Sequence, residues 1–243
     1  MGGSRTAVPL RPRRQRADGD REAHHRRPPM TDRISIVSDL RTAADASAQR
    51  VGSAPQPVSA VPGSRELGRA MRYRSATTHF VDQPVERRHV DASAAAMTTM
   101  DAGLWGDAAH SSPLRVLVAC RRVAGVQPGL YEYVDGGLLR LDGDAEPLRM
   151  REMVLQPEFA EAGAILLAVG NLAGMTSRFG AHGHRMLLSR GGAACEAAWL
   201  TAVRFGLVGS IFAGFLPGAL RQRTGIDGSS DLQLLALAIG AAA

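Results

Sequence analysis

The run AGAILLAVG at positions 162–170 limits the possible folds more than any other feature of this sequence. It is continuously apolar and has the length of a strand, whereas a bilayer-spanning helix needs about 20 such residues. A strand without polar alternation is buried on both faces, which places it at the centre of a sheet. The last apolar run, LQLLALAIG at 232–240, predicts a second strand.

The remaining segments mix helices and strands without a regular βαβ repeat, which favours an α+β architecture. A strand is predicted over 114–123, and two short β-like runs around Asp135-Gly136-Gly137 predict a hairpin. "RELGRAMRYRS" predicts a helix, and Asp82 is a candidate cap of a second one. The other predicted elements are a weak helix at about 36–50, helices at 147–160, 184–206 and 216–223, and a loop "GLVGSIFAGFLPG".

The predicted helix over 184–206 carries small residues on much of its surface. Small side chains allow another backbone to approach closely, so we expect this helix to be buried, with a second copy of the chain as one candidate partner.

The net charge of +6 is concentrated near the N terminus, where the first 30 residues hold eight arginines and three acidic residues. A basic segment without apolar periodicity cannot offset the entropy cost of ordering. We therefore expect residues 1–64 to form a disordered basic arm and an Ala/Ser/Pro-rich segment, before a folded domain at 65–243. The folded part has no basic stripe, which argues against a nucleic-acid partner.

Several functional classes are disfavoured by composition. The chain contains no lysine, which excludes Schiff-base chemistry. Cys120 and Cys195 lack metal-ligand spacing and lie in apolar surroundings, which predicts buried thiols in a reducing cytoplasm. The sequence has neither a signal-peptide core nor a run long enough for a membrane helix, so we expect a cytoplasmic protein without a membrane partner.

The stretch "SRFGAHGHRMLLSRGG" at 177–192 is open to three interpretations: a metal site, an anion-binding turn, or the entrance to a buried helix. A zinc site needs three or four converging ligands, and His182 and His184 have no nearby carboxylate or cysteine. We therefore expect no metal. Arg72, Arg74 and Ser75 cluster cationic and hydroxyl donors, which suits a phosphate.

Taken in order, these pieces resemble the nitroreductase-like flavoprotein family. They are "RYRS…HF", "SSPLRVLVACRRVAGVQPGLYEYVDGGLLRL", "RFGAHGHRMLLSRGGAACEAAWLTAVRFGLVGSIFAGF", "GIDG" and "LLALAIG", from about Met71 to Gly240. The closer resemblance is to the branch of peptide-tailoring dehydrogenases, which oxidise azoline rings in ribosomally made peptides to thiazoles and oxazoles.

The resemblance implies an FMN-binding α+β homodimer whose central antiparallel or mixed sheet is flanked by helices, with a peptide substrate and a cyclodehydratase partner. It assigns three groups of residues to the flavin: Arg72, Arg74 and Ser75 at the phosphate and ribityl chain; Ser111, Ser112, Pro113 and Leu114 along the isoalloxazine edge; Gly209, Ser210 and Gly214 with backbone donors to the ring. Hydride would pass from the substrate carbon to the flavin, which oxygen would reoxidise.

The sequence departs from the family pattern in two places. Ala76-Thr77-Thr78 stands where the N-terminal signature carries a further arginine, and Arg178-Phe179-Gly180 stands where the azoline dehydrogenases have Lys-Tyr-Gly. Neither Arg178 nor Phe179 can act as a general base, which leaves His182 or His184 as the candidate.

These departures keep other functions open. A cyclic-dipeptide oxidase or an NAD(P)H-dependent nitroreductase would use the same fold. A subunit without catalytic activity could instead serve as a scaffold in a biosynthetic complex.

Overall fold

The computed structural model describes residues 64–141 and 149–242. The predicted basic arm and the weak helix at 36–50 therefore lie outside the described residues, apart from Ser64 at the end of the arm.

Within the described ranges, six strands form one sheet in the order β3-β2-β1-β4-β6-β5, and every neighbouring pair is antiparallel. The strands are β1 Arg115–Cys120, β2 Gly129–Val134, β3 Gly137–Arg140, β4 Ala164–Asn171, β5 Leu207–Phe212 and β6 Asp231–Ala241. The predicted α+β class is confirmed, and the sheet is antiparallel throughout.

The apolar run at 162–170 forms the central strand β4, which pairs with β1 on one side and β6 on the other. Its side chains alternate between two cores. Leu166 and Ala168 pack on one face of the sheet, while Ile165 and Leu167 pack on the opposite face. The prediction of a strand buried on both faces is confirmed.

The hairpin between β2 and β3 turns at Asp135 and Gly136, whose φ angles are 51° and 83°. Positive φ at both central residues is the type I′ geometry that matches the strand twist, and it explains the Asp-Gly pair. This prediction is confirmed.

In the part of the chain that the structure describes, five α-helices accompany the sheet: α1 Ser64–Tyr73, α2 Arg87–Ser111, α3 Leu172–Phe179, α4 Ala181–Arg204 and α5 Pro217–Thr224. Residues of α2, α3 and α4 pack in the core on one face of the sheet, and residues of α5 and of two short 3₁₀ helices pack in the other. Helix α2 is kinked at Gly106, where φ is 44° and ψ is −117°.

The small residues of α4 are used for packing within the chain. A Cβ at Gly191 would lie 2.8 Å from the Cβ of Leu234 on β6, and one at Gly183 would lie 2.3 Å from the carbonyl oxygen of Met175 on α3. The helix is therefore buried against α3 and the sheet of its own chain.

Four predicted elements differ from the structure. The helix expected at 147–160 is replaced by 3₁₀ helices Met150–Glu152 and Pro157–Glu161, because the residue before a proline avoids the α region and Gln156 is extended. The predicted loop "GLVGSIFAGFLPG" contains strand β5, which pairs with β6 along its whole length despite its glycines. Asp82 does not cap α2, which begins after Glu86; it pairs instead with Arg122.

The fourth difference concerns the stretch around the two histidines. Helix α4 begins at Ala181 rather than 184, and the unpredicted helix α3 precedes it. The turn between them is the single residue Gly180, whose φ of 58° suits glycine.

Candidate functional site

The loop of residues 111–114 is the best-supported part of the candidate site. It connects the C-terminal end of α2 to β1, and a buried ion pair binds it from the core side. The guanidinium of Arg190 on α4 donates from Nε and Nη2 to the two carboxylate oxygens of Asp101 on α2, at 2.7 and 2.6 Å. Nη2 also donates to the carbonyl of Ser112 at 2.7 Å.

The same loop contacts the predicted proton-handling segment. Arg178, in the last turn of α3, donates from Nη1 to the hydroxyl oxygen of Ser111, and its guanidinium carbon lies 5.1 Å from the centroid of the Phe179 ring. The structure therefore brings together two residues that the sequence analysis placed in different roles, Ser111 at the flavin edge and Arg178 near the proton chemistry.

The hydroxyl of Ser112 is buried and has no hydrogen-bond partner in the described part of the chain. Five other buried side-chain polar atoms of the described residues share this condition, and the Ser112 hydroxyl is shielded from solvent, so it does not by itself mark a binding site.

The predicted phosphate cluster lies at the end of α1 and just beyond it. Arg72, Arg74 and Ser75 are all exposed. The Nη1 of Arg74 lies 2.7 Å from both carboxylate oxygens of Glu196 on α4, and its guanidinium carbon lies 4.7 Å from the ring centroid of Trp199. Arg74 thus has an internal counter-ion, and its Nε and Nη2 are the atoms best placed to receive an anion.

Residues at the start of β5 are positioned by sheet packing. Gly209 accepts a hydrogen bond from the N–H of Thr77, and a Cβ at this position would lie 2.5 Å from the carbonyl oxygen of Ala238. Close approach of a neighbouring strand is therefore sufficient reason for this glycine. Because backbone groups alternate along a strand, those of Ser210 face β6, while those of Gly209 face the segment after α1, where Ala76 forms a parallel bridge with Gly209.

Gly214 lies beyond β5, where its carbonyl accepts a hydrogen bond of 2.8 Å from the N–H of Leu155. Its own N–H belongs to the loop between β5 and α5. Neither Gly209 nor Gly214 has a positive φ, so their backbones are ordinary.

His182 and His184 are exposed in the first turn of α4. Two residues apart on a helix, their side chains point about 200° away from each other. At most one imidazole can therefore face the Ser111–Arg178 contact, and the pair cannot converge on a metal ion. In the described ranges, no group of three His, Cys, Asp or Glu side chains is arranged to hold a metal.

Cys120 and Cys195 are buried, as predicted. Burial raises the pKa of the Cys195 thiol to about 12, so this side chain is a packing group and not a nucleophile. The described residues include no helix with the length and hydropathy to span a membrane.

A cleft of about 570 Å³ opens between α1 and the end of α4. Its lining residues are Arg69, Ala70, Tyr73, Val203, Arg204, Phe205 and Gly206. None of the residues predicted to bind a flavin lines this cleft.

Sequence reasoning missed Asp101 and Arg190. They lie 89 positions apart, and no local pattern links them. The available signal was an arginine within the small-residue stretch of α4, where a charge needs a partner once the helix is buried.

Comparison with known proteins agrees with this fold. A model of the nitroreductase family matches residues 71–241. A proposed nitroreductase from Anabaena variabilis is 17% identical with a TM-score of 0.60, over 76% of this chain and 40% of that chain. A second, from Ralstonia eutropha, is 20% identical with a TM-score of 0.55, over 79% and 88%.

The E. coli microcin synthetase McbBCD complex, with truncated pro-MccB17 bound, also contains a similar chain. It is 15% identical with a TM-score of 0.51, over 88% of this chain and 95% of that chain. This chain therefore spans less than half of the Anabaena protein but nearly all of the matched E. coli chain. No curated protein matches the sequence.

The three structures share the fold at low identity. The family model covers well over half of the chain, and it agrees with the antiparallel sheet and flanking helices described above. The chain belongs to the nitroreductase family.

Proposed function

We propose that this chain is an FMN-dependent dehydrogenase that oxidises azoline rings to azoles during maturation of a ribosomally made peptide. Nitroreductase-family proteins are generally FMN-dependent oxidoreductases. The observation that carries the proposal is the loop of residues 111–114, whose exposed Ser111 accepts a hydrogen bond from Arg178 at its hydroxyl oxygen.

The residues present fit FMN. Ser111 and Pro113 are exposed on the loop and would contact the flavin edge, whereas the Ser112 hydroxyl and the Leu114 side chain face the protein interior. Arg72, Arg74 and Ser75 offer exposed donors of the kind that bind a phosphate. The N–H of Gly214, in the loop after β5, is the proposed backbone donor to the ring.

FMN would supply the hydride acceptor when bound, and oxygen would reoxidise it. Ring oxidation also requires removal of one proton from the azoline. The Arg178 guanidinium has N–H donors and no acceptor, so we assign it to holding Ser111 and orienting the substrate. His182 or His184 is the proposed proton acceptor, because a neutral imidazole has one nitrogen that can accept a proton.

The likeness to a chain of the microcin synthetase complex supports the peptide branch, since that complex is described with a peptide precursor bound. On this basis we propose a peptide substrate, a cyclodehydratase partner and an FMN-binding homodimer. A cytoplasmic location would suit such a complex.

The experiment uses the FMN-loaded chain and a synthetic peptide containing one thiazoline ring. We expect the ring to lose two hydrogen atoms, detected by mass spectrometry as a thiazole product that depends on oxygen. Rapid bleaching of the flavin by NADPH without thiazoline oxidation would favour a nitroreductase instead. Absence of turnover with any of these substrates would favour a scaffold subunit.

Two single variants identify the proton acceptor. Because only one of the two imidazoles can face Arg178, His182→Ala or His184→Ala, but not both, should lower turnover by about 10²–10⁴-fold without loss of FMN. His79→Ala is the matched control, since His79 is also exposed and is none of the residues assigned to the flavin or to proton transfer. Equal activity in all three variants would contradict the assignment.

A further inference from the structure

We infer that Arg190 and Asp101 are positioning residues for the flavin: their ion pair fixes the backbone of residues 112–114 and thereby the position of the exposed Ser111 and Pro113 along the proposed ring edge. This inference rests on the proposed function.

The ion pair is buried at both ends. The Arg190 side chain is 0% exposed and that of Asp101 is 4% exposed. Two guanidinium nitrogens bind the two carboxylate oxygens, which is the bidentate geometry of a strong pair. The third nitrogen, Nη1, lies 3.6 Å from the sulfur of Met175.

Each member of the pair also binds the loop. Arg190 Nη2 donates to the Ser112 carbonyl at 2.7 Å, while Asp101 Oδ2 accepts from the Leu114 N–H at 3.2 Å. Pro113, between these two anchors, has no N–H to donate. One ion pair therefore fixes both ends of a three-residue segment.

The pair also reaches the helix that carries Arg178. Met175 and Arg178 both belong to α3, so the contact of Arg190 with the Met175 sulfur ties α3 to the same anchor as the loop. The Ser111–Arg178 hydrogen bond closes this arrangement at the surface. Through these contacts, Arg190 fixes the position of the loop relative to α3.

Stability alone gives little reason for such a pair. Two buried charges are often replaced by apolar residues of similar volume without loss of stability. Apolar residues could not bind the Ser112 carbonyl or the Leu114 N–H, so a requirement for loop geometry explains what a requirement for stability does not.

The test compares the wild-type chain with the double variant Asp101→Leu/Arg190→Met. FMN affinity is measured by quenching of flavin fluorescence, and the free energy of unfolding by urea denaturation. We expect the double variant to remain folded with some loss of stability, because the Ser112 carbonyl and the Leu114 N–H lose their partners, and we expect its FMN Kd to be raised by about tenfold or more. An unchanged Kd would overturn the inference.

A second readout does not depend on the flavin. We expect the Leu114 amide hydrogen to exchange faster with solvent in the double variant, or in Asp101→Asn if the double variant does not fold. Unchanged exchange would show that the loop is held by other contacts. Arg121→Met is the control, because it breaks an ion pair of 2.8 Å with Glu161 beyond the far end of β1 and should leave both readouts unchanged.

Failure of the proposed function and failure of this inference give different experimental results. If the wild-type chain does not bind FMN, the proposed function and this inference fall together. If the wild-type chain binds FMN and the double variant binds it equally well, only the inference falls.

Discussion

Helix α4 takes part in two arginine–carboxylate pairs that have nearly the same bond length and opposite surroundings. Arg190 binds Asp101 at 2.6 Å with side chains 0% and 4% exposed. Six residues further along the helix, Glu196 binds Arg74 at 2.7 Å, and both side chains are 34% exposed. Distance alone therefore does not distinguish a fixed anchor from a pair that a ligand can rearrange.

The surroundings decide what each pair can do. At the buried pair, loss of one partner leaves an uncompensated charge in the core, so the arrangement is rigid. At the exposed pair, water and salt screen the attraction, so the pair contributes little to stability. In the proposed flavin site, Glu196 would then release Arg74 to the FMN phosphate at a small cost in stability, while Arg190 would hold residues 112–114 in place.

The largest expected effect comes from breaking the buried pair on one side. Arg190→Met leaves the Asp101 carboxylate without its counter-ion, and we expect the free energy of unfolding to fall by about 3–5 kcal/mol. Urea denaturation measures it. A loss below about 1 kcal/mol would show that the two pairs are equivalent and would remove the basis of the comparison.

Measuring stability as a function of pH tests whether Cys195 on α4 is buried although the next residue, Glu196, is half-exposed. Cys195 is buried beside the half-exposed Glu196, and burial raises the pKa of its thiol to about 12. Above about pH 9 the unfolded chain loses this proton while the folded chain keeps it. Stability contributed by Cys195 is therefore complete below about pH 9 and declines by about 1.4 kcal/mol per pH unit toward pH 12.

Cys195→Ala is the control for that titration, because it removes the titrating group while tyrosines continue to titrate in both chains. We expect the variant to show a shallower loss of stability above pH 9, measured by urea denaturation at each pH. Parallel curves would mean that Cys195 is more exposed than the structure shows.

The smallest effect on stability is expected at the exposed pair. Glu196→Gln should change the free energy of unfolding by less than about 1 kcal/mol. It should also strengthen FMN binding, because a carboxylate next to the phosphate cluster is removed and Arg74 loses its internal counter-ion. Weaker FMN binding in this variant would contradict competition between Glu196 and the phosphate.

The fold was predictable where the signal is local. The run that became β4 is continuously apolar and has the length of a strand, as expected for a strand buried on both faces, and the Asp135-Gly136 turn requires positive φ. Strand β5 was missed because its glycines suggested a loop, whereas its pairing with β6 depends on residues about 30 positions away. Tertiary pairing outweighs local preference at such a strand.

The candidate site was predictable only in part, for the same reason. Family motifs pointed to Ser111, which the structure places in hydrogen-bond contact with Arg178. The anchor beneath them joins Asp101 to Arg190 across two helices, and no spacing along the chain reveals it. The identity of the proton acceptor depends on which histidine of α4 faces the loop. This is set by the rotation of α4 about its own axis, which the sequence pattern does not reveal.

Titration of the apoprotein with FMN tests directly whether the 111–114 loop and the phosphate cluster of Arg72, Arg74 and Ser75 hold one flavin per chain. We predict saturable quenching of flavin fluorescence, a shift of the visible flavin bands and a stoichiometry of one FMN per chain. Unchanged fluorescence and unchanged bands at excess protein would contradict the claim.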